Sequence, residues 1–150
     1  MKLRFKIINP KLDSERKKII KKVIILFIIS FSFRLLLSIF IFPDKILPDT
    51  HGYYRSAVNI ALGYGYSNKD APPFEPFFFR EPGYPYFLAT GLKVFDIFGG
   101  NIEYINYTEK GKIDSIPSSY NYLKFWQVFF DSIGLIFFFL IILNVVNIKF

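Results

Sequence analysis

VIILFIISFSFRLLLSIFIF, residues Val23–Phe42, decides the fold class. Only Ser30, Ser32, Arg34 and Ser38 interrupt its apolar character. As a helix rising about 1.5 Å per residue it reaches roughly 30 Å, the depth of one hydrocarbon core. A cleaved signal peptide competes with this reading. It fits poorly, because the apolar run is too long and Pro43-Asp44-Lys45 offers no small-x-small cleavage site. The stretch reads as an uncleaved signal anchor. A second run, LKFWQVFFDSIGLIFFFLIIL (Leu123–Leu143), is polar only in its first half, at Lys124, Gln127, Asp131 and Ser132. It reads as a second span.

The composition agrees. Hydrophobic residues are 52% of the 150, and mean hydropathy is +0.31 although 21% of residues are charged. Apolar and charged residues must therefore be segregated along the chain. Residues 1–22 hold nine Lys/Arg and two acids, whereas residues 43–122 hold seven bases and nine acids. A basic arm can bind nucleic acid. Here Lys17, Lys18, Lys21 and Lys22 abut the apolar run, the positive-inside signature of a cytoplasmic flank, so no nucleic-acid partner is expected. The expected organisation is a cytoplasmic basic arm (1–22), a transmembrane helix (23–42), an external loop (43–122), a second transmembrane helix (123–143) and a cytoplasmic tail (144–150). This is an all-α multi-pass protein of the cell (plasma or inner) membrane.

Cysteine is absent, which excludes a disulfide scaffold, a thiolate zinc site and a cysteine nucleophile. One histidine excludes a self-contained multi-His metal site. No cofactor is indicated, and a divalent metal is left open. Arg34 and Asp131 are costly inside a bilayer, about 2.5–3.5 kcal/mol each on insertion scales. In antiparallel spans both lie just outside the midpoint. They are therefore expected to pair, or to share a polar pocket with Gln127; the alternative is that each turns toward other helices.

The external loop is punctuated like structure. Asp49-Thr50 precedes Tyr53-Tyr54, Ala57-Val58 and Ala61-Leu62 at helical spacing, and Gly63 follows as a stop. Five prolines fall between residues 71 and 86. Pro85 suits a first helical position, and Tyr86, Leu88, Ala89, Leu92, Phe95 and Phe98 follow at helical spacing up to Gly99-Gly100. Two short juxtamembrane helices are expected, near 50–62 and 85–98, lying at the membrane interface. Residues 101–120 are polar and read as a mobile excursion. Asn106-Tyr107-Thr108 within them is a glycosylation sequon.

Asp49 stands where the chain leaves the membrane and enters a helix. A carboxylate there can act as general base for an acceptor hydroxyl or amine; it can also be a plain N-cap. His51 beside it reads more simply as structural or solvated. Arg55, Arg80 and Glu81 stand among aromatics near the expected membrane surface, where a guanidinium suits lipid phosphate and also suits ordinary snorkelling.

Taken in order, Phe33-Arg34-Leu35, Pro48-Asp49-Thr50-His51-Gly52-Tyr53-Tyr54, Gly63-Tyr64-Gly65-Tyr66-Ser67, Arg80-Glu81-Pro82-Gly83-Tyr84-Pro85-Tyr86 and Phe125-Trp126-Gln127 resemble the amino-terminal part of the GT-C membrane glycosyltransferases. The closest type is the bacterial relatives of dolichyl-phosphate-mannose–protein mannosyltransferases (glycosyltransferase family 39). The resemblance covers roughly residues 20–145. It implies a fold of many spans with a large first external loop, and inverting transfer of a sugar from a polyprenyl-phosphate donor to an external glycan, lipid or protein acceptor. It implies that Asp49 is the catalytic base and gives Arg80 and Glu81 a binding role near the donor phosphate; Arg55 and Tyr53 are further candidate substrate-binding residues. Family members carry many more spans, so this chain is expected to be an amino-terminal fragment or to need partners. The alternative is a non-catalytic two-span protein whose loop binds a partner or glycolipid.

Overall fold

In a computed structural model of the chain, residues 10–40, 48–77, 81–108 and 113–145 are described. They are mostly helical: α1 (Pro10–Phe40), α2 (Pro48–Leu62), α3 (Gly83–Ile97) and α4 (Ser118–Val145), with a small hairpin of β1 (Asn106–Tyr107) and β2 (Ile113–Ser115) before α4. Two helical stretches, Arg16–Phe40 and Ser118–Val145, are long and apolar enough to cross a membrane. The chain divides into two compact units, one formed by residues up to Leu37 and from Val128, the other by Ser38–Gln127.

In the first unit, Phe27 meets Phe129 edge-on at 5.9 Å between ring centroids and stacks on Phe31 at 5.7 Å. Most other large apolar side chains are uncovered, among them Ile24, Ile28, Phe33, Phe137, Phe138 and Ile141. Apolar surface on this scale needs lipid or protein against it. The expected ion pair does not form. Arg34 Nη1 donates to Ser30 Oγ, one turn earlier on its own helix, and Asp131 is exposed. The Phe27–Phe129 contact accounts for this: with those rings level on antiparallel helices, Arg34 and Asp131 stand about 13 Å apart along the axis. Ser132, fully buried, donates to Val128 O at 2.7 Å, the usual back-bond of a mid-helix serine.

The second unit is built on α2 and α3. Pro48 begins α2, where a missing N–H costs nothing. Gly63 ends it at φ +88, with Gly63 N–H bonded to Ile60 O and Tyr64 N–H to Asn59 O. Gly99 ends α3 at φ +84 with the same pair of bonds, Gly99 N–H to Asp96 O and Gly100 N–H to Phe95 O. Both are Schellman closures, which demand a residue in the left-handed region and so select glycine.

Part of the apolar face of each helix is turned inward, while Leu62, Tyr86, Ile97 and Phe98 stay exposed. Tyr54, Ala57, Val58 and Ala61 are buried in one core with Leu88, Ala89 and Leu92, joined by Ile105, Tyr120 and Leu123. Small residues at 57, 61 and 89 allow close approach of the two helices. Gly91 continues this pattern: a Cβ there would meet Trp126 Cδ1 at 2.8 Å and Leu123 Cδ2 at 2.9 Å, so only glycine lets α3 lie so near the start of α4.

Three further differences from the sequence reading stand out. Helix α1 begins at Pro10, so the later part of the basic arm is helical. Helix α4 begins at Ser118, five residues before the apolar run, because hydropathy marks where a helix turns apolar and not where it starts. The segment expected to be a mobile excursion holds the hairpin, with Asn106 opposite Ser115 and Tyr107 opposite Ile113, and with Ile105 anchored in the core.

Candidate active site

Asp49 lies in the first turn of α2, one residue past the helical Pro48, and its side chain is exposed. It is therefore inside the helix and not the residue that caps it. An anionic side chain in that turn is favoured by the free N–H groups and the helix dipole.

The next residue, Thr50, lines a cleft in the second unit with Tyr54 of α2, Tyr84 and Leu88 of α3, and Tyr120, Leu123, Lys124 and Gln127 of α4. The cleft is open-mouthed, and its space of about 350 Å³ is continuous with solvent. Its wall is aromatic and braced. Tyr84 meets Tyr53 edge-on at 5.1 Å, and Tyr54 meets Tyr120 edge-on at 5.2 Å. Tyr54 OH donates to Glu103 O at 2.7 Å and shares a 2.7 Å bond with Ser119 Oγ. Burial pushes its phenol up to about 12, so it stays a neutral hydrogen-bonded wall throughout the physiological range. Lys124 Nζ lies 5.4 Å from the Tyr120 ring centroid, in cation–π range. Thr50, Lys124 and Gln127 add polar groups to a lining otherwise made of tyrosine and leucine. Such a combination suits a ligand carrying both an apolar or ring face and hydroxyl or anionic groups.

The remaining residues singled out in the sequence fall in different places. Tyr53 is half-buried and packs on Tyr84, beside the cleft. Glu81 is exposed just ahead of Pro82, which precedes α3. Arg80 lies outside the described residues. Gln127 lines the cleft.

Arg55 faces a different neighbourhood. Its Nη1 donates to Asn68 O at 3.2 Å, its Nη2 donates to His51 Nε2 at 3.3 Å, and it stands 3.5 Å from Asp70. Below it, fully buried Asn59 donates to Ser67 O and Lys69 O, both at 2.7 Å, and accepts from Tyr104 OH at 2.6 Å. Arg55 and Asn59, one turn apart on α2, thus hold the 63–70 loop. These protein partners account for the placement of a guanidinium among aromatics. Among the described residues, no group of three or more His, Asp or Glu side chains is arranged to hold a metal.

His51 completes this latch. Tyr107 of the hairpin meets it edge-on at 5.1 Å. Burial lowers its pKa below 6.5, and the Arg55 cation lowers it further, against a smaller upward pull from Asp70. As the acceptor for Arg55, the ring must be neutral at Nε2. Below 6.5 the unfolded chain binds more protons than the folded one. The stability contributed by neutral His51 is therefore complete above that value and is lost as pH falls toward the folded-state pKa. The thermal midpoint of the wild type is expected to drop on acidification through this window, and that of His51→Gln, which keeps an uncharged acceptor, to drop less. Equal pH dependence in the two would remove His51 from the latch.

Sequence reasoning passed over Thr50, Tyr84, Lys124 and Asn59. The first three gain meaning only when three helices converge. Asn59 shares a helix face with Arg55 and Ser56, so in the sequence it reads as part of an ordinary polar face, and nothing there marks it as buried. Known protein families, characterised proteins and solved structures give no match to this chain.

Proposed function

We propose that the protein is a membrane glycosyltransferase, or the amino-terminal part of one. It moves a sugar from a polyprenyl-phosphate donor to an external acceptor with inversion. In this reading α1 and α4 cross the cell membrane, residues 1–22 and 144–150 are cytoplasmic, and residues 43–122 face outward. The acceptor oxygen bonds to the anomeric carbon from the side opposite the phosphate. The carbon–oxygen bond to phosphate breaks, and its electron pair leaves with the lipid phosphate. The acceptor proton passes to Asp49. Arg80 and Glu81 take the substrate-binding roles implied by the family resemblance. Lys124 is the cation in the cleft lining, suited to the leaving charge. Arg55 and Tyr53 act at one remove, by holding α2 and the cleft wall in shape.

The observation that carries the proposal is Asp49 itself. It is an exposed carboxylate in the first turn of α2, directly before a residue lining an aromatic cleft that also holds a lysine. The test is sugar transfer from a labelled polyprenyl-phosphate donor by membranes containing the protein. Asp49→Asn loses transfer while still inserting; undiminished transfer contradicts the role.

A further inference from the structure

We propose that the first turns of α1 bind anionic phospholipid headgroups on the side of the membrane from which the helix enters. This rests on the membrane reading above and goes beyond it by naming a lipid class and a site.

Arg16–Lys22 carries five cations and no acid, and all of its side chains are exposed. At about 100° per residue, Lys17, Lys21, Lys18 and Lys22 follow one another across roughly 140° of one face. Ile19, Val23, Ile20 and Ile24 occupy an arc of the same width on the opposite side, with Arg16 one turn earlier behind them. The segment is thus two-faced: lysine on one side, branched aliphatic residues on the other.

Residues 1–22 hold nine bases against two acids, so seven positive charges need counter-charge from outside that segment.

The dimensions identify its source. From Lys17 to Lys22 the helix climbs about 8 Å. The headgroup layer of one leaflet, between a core of about 30 Å and a bilayer of about 40–45 Å, is roughly 5–8 Å deep. Lys22 adjoins Val23, where the apolar run begins. The basic face therefore has the depth of the headgroup layer and starts where hydrocarbon ends. The isoleucine face lets the helix lean into acyl chains while the lysines meet phosphates. A nucleic acid would match the charge but leave the isoleucine face in water.

The test uses the full chain in nanodiscs of phosphatidylcholine, with and without phosphatidylglycerol, and reads the lipid retained at the protein with spin-labelled lipids. Wild type is expected to prefer phosphatidylglycerol by roughly five-fold for each lysine that engages a headgroup. High salt reduces the preference by screening. The K17Q/K18Q/K21Q/K22Q variant, which keeps helix-forming side chains, falls to near parity, whereas K69Q/K93Q in the second unit does not. Equal retention of both lipids by wild type, or an undiminished preference in the quadruple variant, overturns the proposal. So does displacement of the anionic lipid by an RNA oligomer. Failure to insert into either nanodisc overturns the membrane reading and this inference with it.

Discussion

Asp49→Asn is expected to lower sugar transfer by about 10²–10⁴-fold, the usual contribution of a positioned general base. The substitution keeps the shape of the side chain and its capacity to accept a hydrogen bond in the first turn of α2. Only the ability to take a proton is removed. Because the residue is exposed, folding and insertion should change little, and the melting transition reported by the chain's single tryptophan, Trp126, should stay near that of wild type. The loss should appear mainly in turnover, since donor binding involves other groups. Asp114→Asn, an exposed carboxylate on β2, serves as the control and should transfer normally. A parallel loss in both variants would point to general charge and not to a base at Asp49.

Asn59→Leu is expected to have the largest effect on stability in the second unit. Leucine is close in size to asparagine, so packing is only modestly disturbed. The hydrogen bonds are not replaced. Two loop carbonyls, Ser67 O and Lys69 O, lose their donor, and Tyr104 OH loses its acceptor. Stranding buried polar groups costs about 1–3 kcal/mol each before relaxation. With Tyr104 partly exposed and able to turn to water, a total of about 3 kcal/mol is expected. Tyr104→Phe removes one of the three bonds and should cost about 1 kcal/mol. Melting of the reconstituted protein, followed at Trp126, measures both. If the two variants were equally mild, the Asn59 bonds would not be what holds the 63–70 loop.

Much of the helical architecture was legible in the residues, and the limits of that reading are physical. The spacing of Tyr54, Ala57, Val58 and Ala61 marks one face of a helix, but periodicity does not say what covers the face. The same pattern serves a helix lying on lipid and a helix packed on another helix, and here α3 is the cover. The glycines were more informative. Gly63 and Gly99 read as stops, and each closes its helix in the left-handed region. The hairpin was hidden because strands of two and three residues carry no alternation to detect. Arg34 and Asp131 were matched by depth counted from the ends of each apolar run, which ignores the register that a contact such as Phe27–Phe129 sets. The sequence does not show what holds the Arg55 guanidinium, because its partners, Asn68 and Asp70, are 13 and 15 residues further on. Asp49 could be singled out from sequence, but the cleft beside it needs α2, α3 and α4 together.

The central claim is that Asp49 and the unit around it stand on the far side of a membrane from the basic amino-terminal segment. The chain contains no cysteine, so single cysteines can be introduced without preparing the background. Ser14→Cys and Ala71→Cys replace exposed residues on either side of α1's apolar run. In intact cells a membrane-impermeant maleimide is expected to label residue 71 at once and residue 14 only after permeabilisation. Labelling of both from the same side, or of residue 14 first, would contradict the account.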